Sequence, residues 1–92
     1  MARWNREDGK TINILTATTT TVKTGGGYLH HLACVGGTLG NVTIYDNTAA
    51  SGIVLFGPAT PVAGGLVAAD IQFRIGLTIV TAAATALSGS FS

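Results

Sequence analysis

From Thr11 onward, apolar and polar residues alternate over short runs, and helical spacing is almost absent. The clearest run is DIQFRIG (70–76). In an extended chain Ile71, Phe73 and Ile75 fall on one side, and Gln72 and Arg74 on the other. Beyond Gly76, the residues Leu77, Ile79 and Thr81 share a face. The same reading predicts strands over 11–16, 18–24, 28–35, 41–46, 53–57, 70–75, 77–81 and 86–91. Turn signals separate them at Gly25–Gly27, Gly36–Gly40, Asn47–Gly52, Pro58–Gly65 and Gly76. One segment, TAAATAL (81–87), has helix-forming residues, but it is short and carries no amphipathic stripe. Thr and Val, stiff at χ1, suit a pleated surface. The expectation is an all-β fold: a compact antiparallel β-sandwich or small jelly roll of about 7–8 short strands.

Composition adds a division to this picture. The chain has 92 residues, enough for one domain. Arg3, Arg6, Glu7, Asp8 and Lys10 crowd into the first ten positions, and the remainder is nearly uncharged. This predicts a polar arm over 1–10 and a β-sandwich body over 11–92. Hydrophobic residues make up 47% of the chain and charged ones 10%, against about 25% charged in an average soluble protein. A domain of this size buries only ~60–65% of its unfolded surface. Such a body is expected to be covered by partners, first of all copies of itself.

Charge and hydropathy also exclude some classes. A net charge of +1 gives no electrostatic basis for binding nucleic acid. The uncharged stretches 24–45 and 47–69 are broken by Gly, Thr, Asn and Pro, so a membrane-spanning helix is not expected. The start, MARWNREDGK, lacks the apolar core of a signal peptide. The sequon at Asn41–Thr43 is then incidental. Cys34 is the single cysteine, which rules out an intrachain disulfide.

The densest group of chemically useful side chains is NVTIYDNTAASG (41–52). Asp46, Asn47 and Gly52 read as a structural turn. Asp and Asn bond the backbone a residue or two on, and Gly supplies a positive φ. A catalytic Asp46 would need a second acid, such as Asp70, brought to it by folding. His30 and His31 fall on opposite faces of a regular strand and so cannot share an ion. His30 and Cys34 share a face but lie ~13 Å apart, and zinc ligands must converge to about 2 Å from the metal. Cys34, among Leu32, Ala33 and Val35, reads as a small buried hydrophobe. No motif of a serine hydrolase or a phosphate loop is present. The expectation is no enzyme activity, no cofactor and no metal. Trp4, between Arg3 and Arg6, fits an anchor for a neighbour's groove, since Trp and Arg are enriched at binding hot spots. Folding back onto its own sheet is the other reading.

Three stretches, GGGYLHHLACV (25–35), NVTIYDNTAASGIVLF (41–56) and DIQFRIGLTIVTAAAT (70–85), together resemble small tailed-phage virion proteins. The matching positions are Gly27, Leu29, Tyr45, Asp46, Asn47, Ser51, Gly52, Phe73, Gly76, Leu77, Ile79, Val80 and Thr81. The resemblance implies a β-sandwich of the jelly-roll kind, displayed as a decoration (cement) protein that bridges capsomers. The partners it implies are the major capsid protein and the chain itself, as a trimer on threefold positions or a dimer on twofold ones. Arg3, Trp4 and Arg6 would make the capsid contact. The protein would be made in the host cytoplasm and sit on the capsid surface of the virion. The alternative is a tail, fibre or baseplate module that binds a receptor or glycan through Tyr28, Tyr45 or Phe56.

Overall fold

The computed structural model describes residues 10–92. Arg3, Trp4 and Arg6 lie outside the described residues. The strands are β1 (Lys10–Ile14), β2 (Thr19–Thr24), β3 (Gly27–Gly37), β4 (Val42–Asp46), β5 (Ile53–Ala59), β6 (Leu66–Phe73), β7 (Gly76–Thr81) and β8 (Thr85–Phe91). They form two four-stranded sheets, ordered β1-β8-β3-β6 and β2-β7-β4-β5, and all pairs are antiparallel.

The order has a simple origin. Strands pair β4 with β5, β2 with β7, β3 with β6 and β1 with β8. The chain is thus a long ribbon of two antiparallel halves, doubled at the β4–β5 hairpin and rolled into two layers. That is the eight-stranded jelly-roll arrangement. Every connection other than β4–β5 passes from one sheet to the other.

One core lies between the layers. Ile12, Leu29, Leu32, Cys34, Phe73, Leu87 and Phe91 come from the first sheet, and Val42, Ile44, Leu77 and Ile79 from the second. Alternation is cleanest in β8, where Thr85, Leu87, Gly89 and Phe91 are buried and the residues between them are half-buried. Gly89 is required there by a close approach. A Cβ at this position would collide with the His31 carbonyl on neighbouring β3.

The structure departs from the sequence reading at β6 and at the double histidine. β6 begins at Leu66 and ends at Phe73, so Arg74 and Ile75 form the crossing to β7. Ile75 is 53% exposed instead of joining Ile71 and Phe73, and Gly76 opens β7 instead of making the turn. In β3 the alternation breaks, because Leu29 and Leu32 are both fully buried. The β3–β8 register slips between Leu29 and His31, which marks a bulge. A bulge puts two residues opposite one and re-aims their side chains. His30 and His31 therefore both lie on the outer side of the sheet, where His31 reaches Ser90 of β8 and His30 reaches Ser92 just beyond it. His30 does not share a face with Cys34, which is buried on the core side.

Phe73, 1% exposed, is the largest fully buried side chain. Phe73→Ala is expected to lower unfolding free energy by about 3–5 kcal/mol. A urea melt that gave a free-energy loss of less than a third of that would place Phe73 outside the core.

Candidate functional site

Asp46 ends β4 and is 6% exposed. The expectation that its carboxylate bonds the backbone a residue or two on is corrected by the structure. It reaches instead across to the crossing between β6 and β7. Oδ1 accepts from the N–H groups of Arg74 at 3.0 Å, Ile75 at 2.9 Å and, at longer range, Gly76 at 3.4 Å. Oδ2 accepts from Arg74 at 3.1 Å. The Arg74 and Ile75 N–H groups belong to a chain passing between sheets, where no ladder partner can serve them. The Ile75 N–H contributes most to holding the Asp46 carboxyl below the ordinary aspartate range. Burial opposes this, and the Arg74 and Gly76 N–H groups and the Arg74 charge reinforce it.

Asn47 and Gly52 organise the β4–β5 turn itself. Asn47 Oδ1 accepts from Thr48 N–H at 2.8 Å, and Asn47 Nδ2 donates to Ser51 O at 2.9 Å. Gly52 adopts φ +88°, with the Asn47 amide packed where a Cβ would stand. The turn is also tied to the neighbouring strands. Thr78 Oγ1 donates to Asn47 O at 2.8 Å, and Thr21 Oγ1 donates to Thr48 O at 3.2 Å.

Two buried threonines do for other crossings what Asp46 does for β6–β7. Thr81 Oγ1 donates to Thr16 O at 2.7 Å and accepts from Thr18 N–H at 3.0 Å, which fixes the β1–β2 connection. Thr85 Oγ1 donates to Thr38 O at 2.9 Å and accepts from Gly40 N–H at 3.0 Å, which fixes β3–β4. A hydroxyl suits both jobs because it donates and accepts. Among the described residues no buried side-chain polar atom lacks a partner. Sequence reading missed these threonines, although Thr81 was visible on one face with Leu77 and Ile79.

The other candidates are distributed differently. Both Asp46 oxygens are engaged by backbone donors, whereas Asp70 is exposed and faces the Tyr28 hydroxyl at 3.4 Å. Tyr28 is 36% exposed, while Tyr45 and Phe56 are half-buried, and Phe56 packs against the core. Cys34 is a buried free thiol. No group of three or more His, Cys, Asp or Glu among the described residues could hold a metal ion. A groove of about 260 Å³ opens between β1 and β2, floored by Ile12, Ile14, Val22 and Phe91, and its lining has no titratable side chain. Within the described residues, then, the 41–52 cluster forms a structural staple, and exposed polar chemistry gathers around Tyr28.

No family model, curated protein or solved structure matches this chain.

Asp46→Asn keeps one acceptor oxygen but turns an NH2 group toward backbone N–H donors. It is expected to cost about 1–3 kcal/mol, the range for a buried donor left unsatisfied. The pH dependence follows from the lowered carboxyl. Asp46 contributes its full stability above the unfolded aspartate pKa of about 3.9, and loses it as pH falls through the lower folded value. Acid titration of the melting temperature should therefore be flatter in Asp46→Asn. Parallel curves for the two proteins would show that the Asp46 bonds carry no stability.

Proposed function

We propose that this protein is a structural, non-enzymatic virion component, a capsid decoration (cement) protein that bridges neighbouring capsomers. The observation that carries this reading is the surface of the body. Its described charges are Lys10, Lys23, Asp46, Asp70 and Arg74, and Asp46 is buried. Against them stand exposed Leu15, Val35, Ile53, Val62, Leu66 and Ile75, each between 53% and 73% accessible. Three of these gather at one end of the first sheet. Leu66 is paired with Ala33, Val35 follows Cys34, and the loop holding Val62 is bonded to Cys34 through Gly64 and Gly65. Exposed apolar residues gathered at one end of so small a body are the kind of surface that a partner covers.

In this reading the body associates with copies of itself, and the oligomer sits on the major capsid protein at the virion surface. Arg3, Trp4 and Arg6 are the proposed anchors. Modest contacts summed over a lattice give strong attachment. The jelly-roll order adds support by analogy of fold alone, since viral capsid and lectin domains use it.

Light scattering of the purified chain at micromolar concentration is expected to give a trimer or dimer mass, and Val62→Asp with Leu66→Asp should shift it toward monomer. A monomer mass for the unaltered chain would remove the argument for a covered surface. Deleting residues 2–10 should leave the β-type circular dichroism intact and weaken binding to capsids lacking the protein by about thirtyfold per site, the equivalent of a 2 kcal/mol anchor. Undiminished binding would assign the capsid contact to the body.

A further inference from the structure

The outer face of the β1-β8-β3-β6 sheet is mostly Thr, Ser, Ala and Val, but one spot is different. There two neighbouring strands are irregular at the same level. β3 carries an extra residue at His30, where the register to β8 slips. Opposite it on β6 is Asp70, which lies between the Leu29–Ile71 and His31–Ala69 pairs and has φ 56°. Asp reaches this left-handed region more readily than most residues. Buried Leu29 and Leu32 on one strand, and core-packed Ile71 and buried Ala68 on the other, show that alternation breaks at this level in both.

The doubled irregularity gathers six polar side chains. Tyr28 donates to Asp70 Oδ1 at 3.4 Å, and its ring meets the His30 ring edge-on with centroids 5.3 Å apart. His30 Nε2 lies 3.1 Å from Ser92 Oγ, and His31 Nδ1 lies 3.2 Å from Ser90 Oγ. Both histidines of the chain are here, together with its one exposed carboxylate among the described residues. Desolvation, and after it the charge and hydrogen bond of Asp70, raise the Tyr28 hydroxyl above its ordinary range.

We propose that this cluster binds a neutral saccharide. The partly exposed Tyr28 ring offers a flat apolar surface for the C–H face of a pyranose, with a polar tip beside it. Around it stand a carboxylate that only accepts, and imidazoles and hydroxyls that donate and accept. Sugar hydroxyls, which also do both, match that mixture. Charge separates this ligand from others. An anion would meet the Asp70 carboxylate, and none of the six side chains is a Lys or Arg, although Lys23 Nζ and Ser92 O both flank Gly27 beside Tyr28. A divalent cation would find no set of three ligands. In the His30–Ser92 pair the serine's own N–H is bonded to Tyr28 O and provides no donor for an oxyanion. The assignment does not depend on where in a virion the protein sits.

The test is a heteronuclear NMR titration of the full, isotope-labelled chain with glucose, galactose, mannose and N-acetylglucosamine into the millimolar range. At least one sugar is expected to move resonances of residues 28–31, 69–71 and 90–92 and few others. Tyr28→Ala and Asp70→Asn should each weaken that response by about tenfold or more, with the rest of the spectrum unchanged. Should Tyr28→Ala disturb the fold, Tyr28→Phe keeps the ring, removes the contact to Asp70 and should give a partial loss. The proposal is overturned if none of the four sugars moves these resonances. It fails equally if well-folded Tyr28→Ala responds as the parent does, or if only glucuronate or a sulfated sugar binds.

Discussion

Nearly every connection in this fold has to carry the chain from one sheet to the other, and that crossing is the problem the structure is built around. Within a sheet, backbone groups pair in ladders. At a crossing they cannot, and between packed layers an unpaired N–H or C=O is costly. Short polar side chains placed on the core side at strand ends solve this. Asp46 serves the β6–β7 crossing, Thr81 serves β1–β2, and Thr85 serves β3–β4. The β2–β3 crossing leans on β6–β7 directly, through Gly25 N–H and Ile75 O at 2.8 Å. The β5–β6 connection uses the Cys34 backbone in the same way, with Gly64 N–H on Cys34 O and Cys34 N–H on Gly65 O. Buried polarity here is concentrated where layers are joined.

Much of the fold was legible because each strand faces one core, so the period-two pattern survives in the sequence. It failed where the pattern is interrupted. LVAAD gives little alternation, since Val67 and Ala68 are both buried in succession, and so the first half of β6 was not read as strand. The bulge at His30 is invisible to a rule that assumes regular pleating. Local turn chemistry described Asn47 and Gly52 well, but for Asp46 it pointed to the wrong partners, because its donors lie 28 to 30 residues away. Thr81 and Thr85 look like any strand threonine until the crossings they hold are seen. The Tyr28 cluster draws on three strands, and no spacing in one sequence would join Tyr28, Asp70 and Ser92.

The sheet edges show how such an uncharged body avoids uncontrolled stacking. An open edge is a template for another chain, and charges or bulges blunt it. The β1 edge carries Lys10, and β2 carries Lys23 beside a register shift. The β6 edge carries Asp70 in its left-handed kink. The β5 edge has no charge, but it is irregular against β4 at two points and contains Pro58. The exposed apolar residues are therefore better placed to meet a partner by side-chain packing than by extension of a ladder.

The rolled ribbon has one more consequence. In both sheets, every ladder joins a strand before the β4–β5 hairpin to one after it. Neither half of the chain contains a single strand pair of its own. A nascent chain that has emerged only as far as Asp46 has all of its first four strands and nothing for them to bind. Folding must wait until the second half is made and then proceed by long-range closure, the slow regime for sheet proteins. The two halves are obligate complements, and a chain cut short in its second half is left with unpaired edges instead of a smaller domain.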